Sequence, residues 1–282
     1  MDEIYTKASG KSGWDKAGWA EKKKQQRRET YELLDRATET MKTDPTAFQT
    51  YLQIQGRFDR YSVTNAILIA AQAPDATDLR ESKAWRADGE YPDKGAKGIL
   101  ILEPGSIYTR KDGKEAQGFD VKTVYDFSQT SARFKPQPEG EALNLRRLIL
   151  AMMDVSPVPF DVADTLSESA LYDAERDTIL LAKDQPEEFL FIGIAREIAA
   201  AAFFKRHGIQ REASRFESNC VVRMLLARYD ASGDLPLPSL PDGYAGMENV
   251  VFRKELSRIR EVYADLQVNL YRKLKTEEEQ EP

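Results

Sequence analysis

The spacing of apolar residues changes period partway along this chain and then changes back, and that pattern confines it to an α+β architecture. From about Trp19 to Met41, the residues Tyr31, Leu33, Leu34, Ala37 and Met41 recur at helical spacing behind the basic runs Lys22-Lys23-Lys24 and Arg27-Arg28. Shorter helices are predicted from Pro45 to Gln55, from Ser62 or Thr64 to Gln72 ahead of Pro74, and from Ser82 to a closing Gly89. The period then falls to that of a strand. Gly98 to Glu103 is a continuous apolar β run, and Ser106–Arg110 and Gly118–Tyr125 flank Lys111-Asp112-Gly113 as a hairpin. The first half therefore reads as helices ahead of a small, mainly antiparallel sheet. Beyond it come a helix from Glu141 to Met153, a strand near Pro159–Asp164, and an extended pair, Ala170–Asp173 and Thr178–Leu181. Helices from Pro186 to His207, Arg211 to Tyr229 and Asn249 to Lys275 complete the second half.

With 282 residues the chain is long enough for two cores. The Pro- and Gly-containing stretch 131–140 is the linker candidate between segments 16–130 and 141–275. Residues 1–15 and the acidic tail Glu277–Glu281 are expected to be poorly ordered. The apolar runs Ala66–Ala71 and Ile194–Phe204 fall short of the roughly 20 residues of a membrane span. The polar start lacks the apolar stretch of a signal peptide, so a cytoplasmic protein without membrane contact is expected. Charge is uneven: residues 1–135 hold 23 Lys and Arg against 21 Asp and Glu, and residues 136–282 hold 18 against 26. Different partners for the two halves are implied.

Two residue counts exclude most catalytic chemistry. His207 is the single histidine and Cys220 the single cysteine, so a two-histidine metal site, an intrachain disulfide and a cysteine-based zinc cluster are all ruled out. His207 falls at a helix end, where a cation complements the dipole. Cys220 lies in an apolar helical run and reads as a small buried hydrophobe. No catalytic residue, metal or cofactor is expected.

Two constellations remain. The first comprises Arg57, Arg60, Tyr61, Asn65, Gln72, Trp85, Lys94 and Lys97. Cations that track phosphates, aromatic faces that stack bases and amides that hydrogen-bond suit a single strand of nucleic acid. The same residue types also serve as solvated surface charge and core or rim packing. In order along the chain stand Tyr61-Ser62, Asn65, Leu68-Ile69, Gln72, Pro74, Ala76, Trp85, Gly89, Lys94-Gly95, Lys97-Gly98-Ile99, Ile101 and Pro104, closed by Tyr125-Asp126-Phe127-Ser128-Gln129-Thr130. This ordered set resembles the N-terminal domain of ArdC-type antirestriction proteins, shared with TraC-type primases and LtrC-like plasmid proteins. The resemblance covers residues 57–130 and implies single-stranded-DNA binding. At Gly89-Glu90-Tyr91-Pro92-Asp93 the chain is acidic where that family is usually basic.

The second constellation is Arg196-Glu197-Ile198-Ala199-Ala200, with Glu217 on the next helix. It resembles the ImmA/IrrE-type zinc metallopeptidase domain that follows the DNA-binding domain in ArdC proteins. Two histidines one helical turn apart can there share a zinc ion with a later carboxylate, while the intervening glutamate polarises a water. On that frame Arg196 and Ala200 replace the histidines, whereas Glu197 and Glu217 remain. The resemblance thus implies a degenerate, zincin-like second domain without zinc, and Arg196 is expected to pair with Glu217 across the vacated site. The functional expectation is a single-stranded-DNA-binding protein of a mobile element that carries a dead peptidase-like domain. That domain could contact a host or element-encoded protein. The alternative is an interaction protein or DNA mimic acting through the acidic second half.

Overall fold

The computed structural model describes residues 16–110, 112–134, 144–231 and 235–279. Expectations for residues 1–15, for Lys111 at the hairpin turn, for 135–143 and for the last residues of the tail lie outside the described residues. The architecture is α+β. Helix α1 (Lys16–Met41) presents Leu34 and Met41 to the core. Its buried Thr30 and Thr38 hydroxyls donate to the Gln26 and Leu34 carbonyls, so neither is left unpaired. Helix α2 (Pro45–Arg57) starts where Asp44 accepts from the Thr46 and Ala47 amides at 2.8 and 3.3 Å, with Pro45 preset for the first turn. Helix α3 (Val63–Gln72) is capped by the Ser62 hydroxyl.

The first sheet contains β1 (Leu79–Glu81), β2 (Ile99–Thr109) and β3 (Glu115–Asp126), antiparallel in the order β1-β3-β2, with the short helix α4 (Ser82–Ala87) after β1. The two expected strands 98–103 and 106–110 are one strand. Its register on β3 shifts between Pro104 and Ile107, because proline has no N–H to give the ladder and the pairing must step around it.

Helix α5 (Leu145–Asp154) leads into the second sheet of β4 (Phe160–Ala163), β5 (Ala170–Asp173) and β6 (Thr178–Ala182). Its order is β4-β6-β5, with β4 parallel and β5 antiparallel to β6. Helix α6 (Glu187–His207) crosses this sheet, followed by α7 (Arg215–Tyr229) and the long α8 (Asn249–Glu278). Helix α7 starts four residues later than the apolar pattern predicts, since residues 211–214 form a turn.

The two halves are packed together through α2 and α7. A Cβ placed on Gly56 would lie 2.3 Å from the Met224 carbonyl oxygen, so only glycine permits this crossing distance. Helix α8 adds side-chain donors to the same region. Tyr263 Oη donates to the Gly56 carbonyl at 2.7 Å, and Arg260 donates to the carbonyls of Tyr61 and Asp59, both at 2.8 Å. A continuous apolar cluster runs through both halves, including Phe48, Tyr51, Leu52, Met224, Phe252 and Tyr263. Among the described residues no helix is long and apolar enough to cross a membrane.

Candidate functional site

Close approach of α6 to β5 builds the site in the second half. Gly193 lies one turn before Glu197, and a Cβ there would meet the Ser169 hydroxyl at 2.2 Å. The helix can therefore lie directly on the strand, which carries Glu197 beneath β5. The Tyr172 backbone N–H donates to Glu197 Oε2 at 2.9 Å. Glu197 is fully buried, so its charge requires partners on both oxygens. Arg211, in the turn ahead of α7, supplies them as a fork: Nε donates to Oε2 at 2.6 Å and Nη2 to Oε1 at 2.9 Å. The Glu197 hydrogen bond, chiefly, holds the Arg211 pKa above the ordinary guanidinium value, against the opposing effect of burial.

A second carboxylate completes the network. Glu168, in the loop entering β5, accepts from Arg196 Nη2 at 2.8 Å, Arg211 Nη2 at 3.2 Å and Arg215 Nη1 at 3.1 Å. Arg196 Nε also reaches Glu197 Oε1 at 3.2 Å. Burial alone would raise the Glu168 pKa. The Arg215 hydrogen bond and the charges of Arg211, Arg215 and Arg196 outweigh it, holding the carboxyl below its usual range. A carboxylate with a depressed folded pKa contributes stability that is full above its unfolded value, near 4.3, and is lost as pH falls through the lower folded value. Denaturant titrations between about pH 5 and pH 3 should therefore show a shallower loss of stability for Glu168→Gln than for the wild type. Identical slopes would remove Glu168 from the network's energetics.

The expected Arg196–Glu217 pair is not formed. Arg196 turns toward β5, where Glu168 and Glu197 offer two carboxylates. Glu217 faces α8 and pairs with Arg258 at 3.2 Å, which also holds Glu255 at 2.6 Å. Adjacency did not keep Arg196 from Glu197, because the long guanidinium stem folds back along its own helix. Sequence reasoning missed Glu168 and Arg211, since neither has a local spacing to Glu197. The nearest signal was the arginine in a ligand position, which implies a changed set of counter-charges nearby.

This arrangement does not fit a divalent metal. Ala200 is buried and has no donor atom, Arg196 is a cation, both Glu197 oxygens are occupied, and Glu217 is bound to Arg258. Among the described residues no cluster of three His, Cys, Asp or Glu side chains could hold a metal ion. Cys220 is buried, and burial pushes its thiol pKa up, as expected of an inert core cysteine. His207 is exposed at the end of α6, its ring 6.3 Å from Phe203.

In the first half, four of the expected DNA contacts have structural partners instead. Asn65 donates to the Leu102 carbonyl and accepts from the Leu102 amide, both at 2.8 Å. Gln72 does the same with Leu100, at 2.9 and 3.0 Å. These α3 side chains imitate a neighbouring strand along the free edge of β2, satisfying groups that would otherwise invite pairing. Trp85 is buried, donates its indole N–H to the Tyr125 carbonyl at 3.0 Å, and lies under the Arg80 guanidinium. Arg57 donates to the Pro74 and Ala76 carbonyls at 3.2 and 3.1 Å. Tyr61 is half-buried against Phe58, and burial raises its pKa. Arg60, Lys94 and Lys97 are exposed.

The structure forms a different basic surface. A groove of about 620 Å³ between α1 and β3 is lined by Trp19, Lys23, Lys24 and Arg27 on the helix and by Asp120, Val121 and Lys122 on the strand. Lys23 Nζ lies 6.0 Å from the Trp19 ring centroid, at the limit of cation–π range. Lys122 is partly balanced by Glu81 and Glu103 at 3.8 and 3.7 Å. The sequence marked these α1 cations as basic runs at the start of a helix, and packing of that helix beside β3 makes them a groove wall.

No protein-family model matches the chain, and no curated protein does. Among solved structures the fold is similar to the antirestriction ArdC protein from the R388 plasmid in its metal-free form, with 15% identity and a TM-score of 0.52. That match covers 75% of this chain and 86% of that one. The Mn(II)-bound form of the same protein matches at 14% identity and a TM-score of 0.51, covering 84% of this chain and 98% of that one. At such identity the likeness is one of fold.

Proposed function

We propose that this chain is a single-stranded-DNA-binding protein of the antirestriction type, encoded on a mobile element, whose peptidase-like second half has become a non-enzymatic scaffold. The groove between α1 and β3 carries the reading. It combines a line of cations for phosphates with an exposed aromatic ring, Trp19, for a base. Similarity of fold to a plasmid antirestriction protein supports the biological setting. The exposed Arg60, Lys94 and Lys97 are further candidate phosphate contacts.

Anisotropy of a labelled single-stranded oligonucleotide, titrated at several salt concentrations, tests the DNA reading. Affinity should fall with salt by a log–log slope of about 0.7 for each phosphate contacted. Affinity no better than that of an unrelated protein of equal charge would end it.

The scaffold reading rests on the Glu197–Arg211 fork. A guanidinium already bridges the carboxylate that would polarise a metal-bound water, and this permanent cation excludes a second one by repulsion. Purified protein is expected to contain no stoichiometric divalent metal, and a chelator should leave its Tm unchanged. One equivalent of tightly held metal by elemental analysis would overturn this part of the proposal.

A further inference from the structure

The outer part of the β2–β3 hairpin stands in solvent on both faces. Beyond Leu102 on β2 and before Val121 on β3, none of the described residues is buried. Residues 104–109, at about 3.3 Å each, give this ribbon a length of roughly 20 Å. It starts at the register shift after Pro104, where Gln117 Nε2 donates to the Gly105 carbonyl and ties the two strands together.

Three apolar side chains are exposed on the ribbon: Ile107, Tyr108 and Phe119. Tyr108 is 52% exposed because its neighbours on β3 are small. Its direct partner is Ala116, and its diagonal neighbour is Gly118, where a Cβ would stand 3.9 Å from the ring atom Cδ1. The charges of the ribbon are gathered at its turn, Arg110-Lys111-Asp112-Gly113-Lys114-Glu115, with three cations to two acids. Asp112 already accepts from the Lys114 amide at 3.2 Å. Arg110 and Lys114 are exposed, and neither forms an ion pair among the described residues. β3 joins this ribbon to the basic groove, since Asp120, Val121 and Lys122 line the groove and Phe119 is the next residue out. A polymer lying in the groove can therefore continue along the ribbon.

We infer that the ribbon is a second arm for the same single strand, on which Tyr108 stacks one base while Arg110 and Lys114 hold neighbouring phosphates. The inference rests on the DNA reading above and extends it to residues outside the groove. An open aromatic ring beside unpaired cations matches the alternation of bases and phosphates, which an apolar protein surface does not offer.

Anisotropy of a labelled single-stranded oligonucleotide with the full chain tests the arm. Tyr108→Leu keeps an apolar side chain beside Gly118 but has no π face. It should weaken binding at least about fivefold with the salt slope unchanged, whereas Tyr108→Phe should bind like the wild type. Arg110→Gln combined with Lys114→Gln should lower the salt slope by about 1.4, for two phosphate contacts. If the wild type binds and these variants match it in affinity and slope, the arm is overturned and the groove reading stands. Equal losses for Tyr108→Leu and Tyr108→Phe also overturn it, because the ring then serves only the ribbon's own packing. A wild type that does not bind overturns both readings. Sedimentation of the wild type as a dimer that Ile107→Ser converts to a monomer would assign the ribbon to a second copy of the chain instead.

Discussion

Glu197→Ala is expected to destabilise the protein by about 3–5 kcal/mol, the usual cost of removing one partner of a buried ion pair. Four contacts are lost together, among them the 3.2 Å bond from Arg196. Both arms of the Arg211 fork lose their acceptor, and the Tyr172 amide loses the carboxylate it donates to. Arg211 would retain the 3.2 Å contact to Glu168 and a 3.4 Å contact to the exposed Glu212, and its side chain is only 11% exposed, so solvent cannot replace the missing charge. Arg196→Ala should cost less, about 1.5 kcal/mol, because Arg211 still bridges both carboxylates in its absence. Urea unfolding separates the two variants: the midpoint should fall much further for Glu197→Ala, with little change in slope for either. A Glu197→Ala protein within 1 kcal/mol of the wild type would show that the network is ornamental to stability.

The second large effect concerns the basic groove. Reversing Lys23, Lys24 and Arg27 to glutamate together should weaken single-stranded-DNA binding roughly 100-fold near 0.1 M salt. Three lost phosphate contacts, each worth about 0.7 in log–log slope, amount to about two logarithmic units at that salt. The salt slope itself should drop by about 2. All three residues are exposed on α1, and none forms an ion pair among the described residues, so the fold should survive, as a far-UV CD melt would verify. The matched control is Arg60→Glu with Lys94→Glu and Lys97→Glu. If that triple variant abolishes binding while the α1 variant keeps it, the interface lies at the loop ahead of β2 and the groove is not its seat.

Much of the secondary structure was legible because each signal was local. Asp44 followed by Pro45, Ser62 ahead of an apolar helical run and Gly208 after His207 are caps whose partners lie within a few residues. The strands from 98 to 126 were legible from alternation and turn residues, although Pro104 hid the fact that the first two are continuous. Asn65 and Gln72 show the limit of that approach. Their amides suit a nucleic-acid strand and a β edge equally well, and nothing within seven residues of either tells which of them will arrive. Contacts 28 and 37 residues away decided it.

The sequence by itself determined what this chain cannot be. One histidine and one cysteine exclude a two-histidine zinc site or a cysteine-based zinc cluster within this chain on any fold, and the change of apolar period excludes an all-α or all-β architecture, since both follow from counts and spacings that no packing can alter. Only the tertiary structure decided which charges meet. A carboxylate takes the guanidinium that burial brings within reach, and that is a matter of how closely helices approach. Gly193 lets α6 settle on β5, bringing Glu197 to Arg211 and Arg196 to Glu168. Gly56 lets α2 cross α7, bringing Gln49 to Arg223.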